Sequence, residues 1–459
     1  MPNKLLGSIA RLAGHKGEVL CLDAPCIDDD GGDSSASTGS ASSQPMLVSG
    51  GEDGTVRIWD LQAGRASRAI MVPATEGADP AVTAVCLGTA GANDRWVYAA
   101  TAAGIFGYDL RAPGMLLREP ARRFAPSRDE IGQLALHSNG VLAAADDAGE
   151  VRMYDVGATG ELLATLTGGH TSLCCTAAFR PGRPWELYSA GLDALCVRWD
   201  WKKAVPMASW PLARLFDTSS QAQLLNPRHA HCLSFAPDGG TVAIALGDGT
   251  IEVRLAETGE PIAAVDAHRA AASQARFSPQ LRAALVVRAR EEMYSIADAS
   301  TSAEAASALD AAAACEGLAS GSALPLLSAG NDRQLRLWAV QGVVGRGAGG
   351  RGGDGGDDHA RSKRPRNVSA AAAAVASGDC GSAGGGDGSA IGDGFEDADD
   401  VSMDEDEDEL DGVEPGFRAL ASVTLPEKPN WTVGVRDPST QRGVVCVATT
   451  GSLVEVLRV

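Results

Sequence analysis

The stretch SGGEDGTVRIWD, Ser49–Asp60, returns as SAGLDALCVRW from Ser189 and as SAGNDRQLRLW from Ser328. All three fit S-[G/A]-G-x-D-x5-W, with Ser, Asp and Trp at the same offsets. Each copy has an apolar run into Ser (MLVS, ELYS, PLLS), a short turn carrying Asp, and alternating apolar residues that end in Trp. Val56 and Ile58, or Leu335 and Leu337, show the period of two expected of a strand. Asp53-Gly54 is a hairpin turn dipeptide. A histidine precedes another strand-like run upstream of each copy: His15 before VLCL, His170 before CCTAAF, His268 before ASQARF. The repeating unit is therefore His, strand, strand with Ser, Asp turn, strand with Trp.

Degenerate copies fill the gaps. AVTAVCL, WVYAAT and GIFGYDLR cover 81–111, IGQLAL and VLAAADDAGEVRMYD cover 131–155, and HCLSFAPDG with TVAIALGDGTIEVRL covers 231–255. NWTVGV and VVCVATTGSLVEVLRV form a last unit at 430–459. Seven units with W-D signatures and a period of about 40–45 residues predict an all-β, seven-bladed propeller. Blades one, four and six carry the full set; the fifth has Arg254 in place of Trp, and the second lacks the turn Asp. Residues 4–12 have strand character and no blade of their own, so they are expected to supply the outer strand of blade seven and remove an open edge.

The rest of the 459 residues falls into inserts expected to be disordered. The propeller would occupy 1–341 and 428–459, with a Ser/Gly/Asp loop at 27–46 and an Ala-rich, partly helical insert at 285–322. Residues 342–427 read as a low-complexity linker that cannot bury enough apolar surface to offset its ordering entropy. Within it lie a basic cluster at 361–366 and an acidic run at 396–411. That run holds 11 acidic residues and no basic one, more than half of the net charge of −20. The remainder shows no basic excess, which argues against a nucleic-acid-binding body. Ten cysteines form no CxxC pair, and several sit in apolar strands, as reduced core cysteines do. With no signal-peptide pattern and no long apolar run, the expectation is a soluble intracellular protein in which the sequons at Asn367 and Asn430 carry no weight.

The set His15, Ser49, Asp53, Trp59 looks like catalytic machinery, as do His170, Ser189, Asp193, Trp199 and His268, Ser328, Asp332, Trp338. Three equivalent copies favour a buried structural tetrad, since an active site would be singular. The pair His229-x-His231 has no third metal ligand at a usual spacing, so no metal and no cofactor are expected. Gly345-x-Gly347-x-x-Gly350 matches a dinucleotide fingerprint but lacks its strand, helix and downstream acid. Lys363, Arg364 and Arg366 have the form of a nuclear import signal, the alternative being a solvated basic tract.

GHKGEVLCL (14–22), DEIGQLAL (129–136) and LAAADDAGEVRMYDV (142–156) resemble the WD repeat-containing protein 53 family of WD-repeat proteins. The more specific likenesses are AFRPGRP (178–184), QLLNPRHAH (223–231) and KPNW (428–431). The resemblance implies a seven-bladed propeller, a non-enzymatic interaction scaffold and a candidate substrate receptor of a cullin-4 RING ubiquitin ligase. Its implied partner is the adaptor damage-specific DNA-binding protein 1. The chain is further expected to be a monomeric propeller within a complex, in nucleus and cytoplasm, without membrane or specific nucleic-acid binding. Receptors of that kind carry W-D-x-R at a blade end. Tyr108-Asp109-Leu110-Arg111 is the nearest match, Lys202 following Trp199-Asp200 the next, and either is equally readable as an ordinary blade end. The competing reading is a chromatin- or ribosome-assembly scaffold whose acidic run binds basic proteins.

Overall fold

A computed structural model describes residues 7–24, 46–74, 77, 79–88, 94–125, 127, 129–157, 160–212, 227–287, 316–342, 416–436 and 443–459. Short alternating segments bounded by glycine and aspartate turns become strands, and these assemble into seven antiparallel blades. A strand β1 (Gly7–Ala13) comes first. Blade one is β2 (Val19–Asp23), β3 (Met46–Gly51), β4 (Thr55–Asp60) and β5 (Arg65–Met71). Blade two is β6 (Ala84–Leu87), β7 (Trp96–Thr101), β8 (Gly104–Asp109) and β10 (Arg122–Arg123); its β9 (Leu116–Leu117) instead pairs parallel with β5 as a fifth strand of blade one. Blade three is β11 (Ile131–His137), β12 (Val141–Asp146), β13 (Val151–Asp155) and β14 (Leu162–Leu166). Blade four is β15 (Cys174–Phe179), β16 (Glu186–Gly191), β17 (Leu195–Asp200) and β18 (Val205–Pro211). Blade five is β19 (Ala230–Phe235), β20 (Thr241–Leu246), β21 (Thr250–Leu255) and β22 (Pro261–Asp266). Blade six is β23 (Ala272–Phe277), β24 (Ala323–Gly330), β25 (Gln334–Gln341) and β26 (Gly416–Thr424). Blade seven is β27 (Pro429–Arg436), β28 (Gly443–Thr449) and β29 (Leu453–Arg458), with β1 antiparallel to β29 as its outer strand.

There is no single central core. Seven apolar clusters fill the seven junctions between blades, from Val48, Val56, Phe106 and Tyr108 between one and two to Leu12, Trp59, Val433 and Val456 between seven and one. One polar side chain also stitches every junction. Asp23 accepts from Leu87 N, Thr83 donates to Ile131 O, Gln133 accepts from Ala177 N, and Thr176 accepts from Leu233 N. Ser234 accepts from Phe277 N, Gln280 donates to Gly434 O, and Asn430 donates to Val19 O. Each junction is thus apolar and also fixed in register by a hydrogen bond.

Two boundaries differ from the sequence reading. The linker does not run from 342 to 427, because 416–424 form β26, whose Leu420 and Ala421 are buried against β25. The large excursion therefore separates the third and fourth strands of blade six, and the last blade is preceded by this strand. The insert expected at 285–322 begins earlier: Pro279–Leu281 form a 3-10 turn that runs into a helical turn at 282–287, and 316–320 is helical again. Leu281, Leu285 and Leu318 pack on Val445, Leu457 and Val459 between blades six and seven, and Arg282 Nε donates to Leu318 O at 2.6 Å. Amphipathic ends thus tie the insert to the core. Residues 27–45, 288–315 and 343–415, with Lys363, Arg364, Arg366 and the acidic run 396–411, lie outside the described residues.

Candidate functional site: buried tetrads, a channel mouth and an arginine on the opposite face

The three tetrads have nearly one geometry. His15 Nδ1 lies 3.0 Å from Asp53 and Nε2 2.7 Å from Ser49 Oγ, which also takes the Trp59 indole N–H at 2.8 Å. In blade four the distances are 3.1 Å to Asp193, 2.7 Å from His170 to Ser189 and 2.7 Å from Trp199 to Ser189. In blade six they are 3.0 Å to Asp332, 2.9 Å from His268 to Ser328 and 2.9 Å from Trp338 to Ser328. A carboxylate only accepts, so the imidazole proton sits on Nδ1; the serine takes the indole proton and gives its own to Nε2. Burial pushes His15 and His268 below the ordinary histidine value of 6.5, and the aspartates only partly oppose it. The neutral imidazole that the network needs is therefore the favoured form. Ser49, Ser189 and Ser328 are fully buried and have both roles filled, so no substrate can reach them.

Close packing explains the glycines in the motif, against the histidine ring in blades one and six and against the Leu173 carbonyl at Gly191 in blade four. A Cβ on Gly51 would stand 2.7 Å from His15 Nδ1, and one on Gly330 would stand 2.5 Å from the His268 ring. Blades without the histidine are free of this constraint, and blades four and five carry other buried polar networks that sequence reasoning missed. Arg254, at the Trp position of blade five, bonds Glu252, which also holds Arg228 at 2.8 Å. Between blades four and five, Glu186 takes Arg180 and Arg198, and both reach Glu257. Each charge occurs singly in sequence; only the ring brings them together.

The strand order defines two faces. Inner strands begin, and the tetrad aspartates turn, on the entry face; third strands end on the exit face. In six blades the pairing of the inner strand skips one residue near its start: Leu20, Gly132, Cys175, His231, Ser273 and Asn430. A bulged residue leaves the ladder and points its side chain elsewhere. Here all six, together with Thr83 of blade two, line a cavity of about 370 Å³ at the mouth of the central channel, with Asn331, Lys428 and Trp431 at its wall. The two histidines of the His-x-His pair are in different surroundings: His231 lines this cavity, while His229 Nδ1 is buried without a hydrogen-bond partner among the described residues. Among the described residues no cluster of three His, Cys, Asp or Glu side chains is placed to hold a metal.

On the exit face the third strands of blades one to four end in Asp60, Asp109, Asp155 and Asp200, each accepting a backbone N–H of the turn that follows. Two residues after these ends stand Gln62, Arg111, Gly157 and Lys202, so Arg111 is the only arginine of the set. Its Nε and Nη2 grip Asp109 at 2.8 and 2.9 Å, holding that carboxyl below the ordinary value, and the guanidinium stays solvent-exposed. Its segment is pinned to blade one, because Arg68 donates to the carbonyls of Leu110 and Ala112 and β9 pairs with β5. Tyr108 is buried and its hydroxyl has no hydrogen-bond partner among the described residues, so it packs against blade one without the bond to serine that each tetrad indole makes. At the end of blade four Lys203 takes Asp200 at 2.8 Å, and Lys202 lies over the Trp201 ring at 5.8 Å.

The WD domain, G-beta repeat family matches residues 6–60, the unit holding the first tetrad. The chain has the fold of a seven-bladed WD-repeat propeller. It is 30% identical over 257 residues to a WD repeat-containing protein 53 homolog of Dictyostelium discoideum, covering 53% of this chain and 63% of that protein. It is 27% identical over 224 residues to a periodic tryptophan protein 2 homolog of the same organism, covering 48% of this chain and 21% of that one. The chain thus spans less than two thirds of the length of these curated relatives. Among solved structures, the WD40 propeller domain of Doa1 superposes with a TM-score of 0.55 at 13% identity, covering 98% of this chain and 96% of that one. A chain of the mitotic checkpoint complex superposes with a TM-score of 0.53 at 14% identity, covering 91% and 84%. These structural likenesses are of WD-repeat fold alone.

Proposed function

We propose that this WD-repeat propeller is a non-enzymatic protein-interaction scaffold whose exit face docks an adaptor, as in a substrate receptor of a cullin-4 RING ubiquitin ligase. Arg111 is the observation that carries the reading. A guanidinium held by Asp109, on a segment tied down by Arg68, presents its free N–H groups outward at little entropic cost on binding. Such a fork suits a partner's carbonyls or carboxylates, and pre-ordered arginines are frequent interface hot spots. Lys202 offers only a point charge. The resemblance to the WD repeat-containing protein 53 homolog supports the scaffold class.

The test is a pull-down of damage-specific DNA-binding protein 1 by the full chain. Arg111→Ala is expected to lower recovery severalfold and Lys202→Ala less, with thermal melts unchanged because both side chains are exposed. Full recovery by both variants, or none by the wild type, would remove the adaptor reading and leave a scaffold of another partner.

A further inference from the structure

A sheet edge with free main-chain groups is a template for another strand, and proteins blunt such edges with proline, charge or a cover. The outer strands of this ring follow that rule with one exception. β1 carries Arg11, β5 carries Arg65 and Arg68, and β10 is Arg122–Arg123. β18 carries Pro206 and Pro211, β22 Pro261 and Asp266, and β26 Arg418. β14, Leu162-Leu163-Ala164-Thr165-Leu166, has neither proline nor charge. It is the last strand of its sheet, and among the described residues it pairs with β13 alone. Leu162 and Leu163 are 45% and 47% exposed on it.

Blade one shows what such an edge accepts. There β9 lies parallel on β5, with Leu116 beside Ala69 and Leu117 beside Ile70, and Ala69 N donates outward to Met115 O at 2.9 Å. β5 and β14 share one irregularity, a bulged residue near the exit end: the pairing with β4 skips Ser67, and the pairing with β13 skips Leu163. Counted from the bulge, Arg68, Ala69 and Ile70 correspond to Ala164, Thr165 and Leu166. Ala69 stands opposite Arg57, and Thr165 stands opposite Arg152. The N–H of Thr165 is therefore directed away from β13, as that of Ala69 is from β4, and no acceptor outside the ladder meets it among the described residues. Where blade one has Arg68, which ties down the chain entering β9 through Leu110 O and Ala112 O, blade three has Ala164. Blade three thus keeps the place of addition without the side chain that fastens a cover from the same chain.

We propose that the outer edge of β14 receives an extended segment of a partner protein as a fifth strand of blade three, with aliphatic side chains at alternate positions of that segment. The main chain at Thr165 supplies hydrogen bonds, and Leu162 and Leu163 supply apolar contact toward the exit end. A second copy of this chain is the poorer occupant. The rim of a closed ring is convex, and a five-residue edge about 17 Å long falls well short of the roughly 800 Å² per partner of a stable interface. A peptide escapes that limit because it needs only the edge and its two flanks. The edge uses no residue of the Arg111 surface, so this proposal and the adaptor reading fail separately.

The probes are two pools of randomised ten-residue peptides with valine, isoleucine or leucine fixed at alternate central positions, one pool also carrying proline between them. Presented to the purified full chain, the pool without proline is expected to be retained roughly tenfold above the other, the margin of one or two main-chain bonds. In the free chain the Thr165 N–H should exchange with solvent quickly, and bound peptide should slow it at least tenfold. Thr165→Pro removes the outward donor, and Leu163→Lys charges the edge as the other outer strands are charged. Each should erase the margin between the pools while melting with the wild type, because β18 already carries edge prolines and Leu163 is exposed. If Thr165→Pro fails to fold, Leu163→Lys and the Thr165 exchange rate decide. Equal retention of the two pools, or a margin that survives Leu163→Lys, overturns the proposal. So does slow Thr165 exchange in the free chain, which would mean that another segment or a second copy already covers the edge.

Discussion

At the position that pairs with the first residue of each inner strand, blades one, four and six carry Gly51, Gly191 and Gly330, whereas blade three carries Asp146. With no tetrad histidine in that blade, the vacated volume holds a carboxylate, fully buried, that takes Ser127 Oγ and Glu150 N and stands 3.7 Å from Arg152 Nε. Asp147, one residue on, is in the opposite situation. Burial, then Asp129 and Asp146, push its carboxyl above the ordinary range, so its charge costs the folded state stability at neutral pH. Asp146→Ala should therefore lose about 3 kcal/mol by stranding buried donors, and Asp147→Asn should equal or exceed wild type in denaturant melts; the reverse ranking would contradict this assignment. A pH dependence follows from the same chemistry. His15, His268, His137 and His231 are held below 6.5 by burial, so the unfolded chain binds protons first as pH falls. Their contribution is complete above 6.5 and declines below it. Asp53 and Asp332, where hydrogen bonds outweigh burial and depress the carboxyl, lose theirs only at lower pH, below the ordinary 3.8. The melting temperature should fall from pH 7.5 to pH 5, with the raised carboxyls of Asp23, Glu130 and Asp147 giving back part of the loss as they protonate; histidine ring signals that titrate at or above 6.5 in the folded chain would mean that the rings are not buried in the neutral form.

Elements were legible in proportion to the regularity of their pattern. S-[G/A]-G-x-D-x5-W gave both the hairpin and the ring because Ser, Asp and Trp act through fixed offsets on paired strands, and those offsets survive any change of surface residues. β26 escaped because its apolar positions, Leu420 and Ala421 among them, follow directly on the acidic run and blur into it. The channel ring escaped for a different reason. A bulge inserts its residue out of the period of two, so Leu20, Cys175, His231 and Ser273 carry no periodic signal that marks them as one surface. The strand β26 makes a sharp prediction about the excursion in blade six. Gln341 and Gly416 are direct register partners, so a short Gly/Ser turn can join them. Replacing 343–415 in this way should leave the melt nearly unchanged. Replacing 342–427 removes β26 and uncovers Leu335 and Leu337, and should lower the melting temperature markedly. Equal melts for the two deletions would show that β26 adds nothing to blade six.

For the whole molecule, stability is distributed around a ring in which each blade is held only by its two neighbours, so closure decides whether the last junction exists at all. Closure is made by β1, which comes from the other end of the chain. It pairs with β29 from Ala13 opposite Leu453 to Gly7 opposite Arg458, places Arg11 2.8 Å from Glu455, and buries Leu12 with Trp59 and Val456. Removing residues 1–13 would expose the edge of β29 and leave Glu455, otherwise 4% accessible, without its cation. An open edge invites pairing with a second chain. Trp59 would also lose an apolar neighbour at the same junction that carries the first tetrad, so the damage should spread into blade one. The point variant Leu12→Ala keeps the strand and its ladder but removes packing worth about 2–5 kcal/mol for a buried leucine. The expected order of melting temperature is wild type, then Leu12→Ala, then the truncation, with oligomers in light scattering only for the truncation. A truncated chain that stays monomeric and melts with the wild type would mean that three strands suffice for blade seven, and that the ring is held by its inner strands alone.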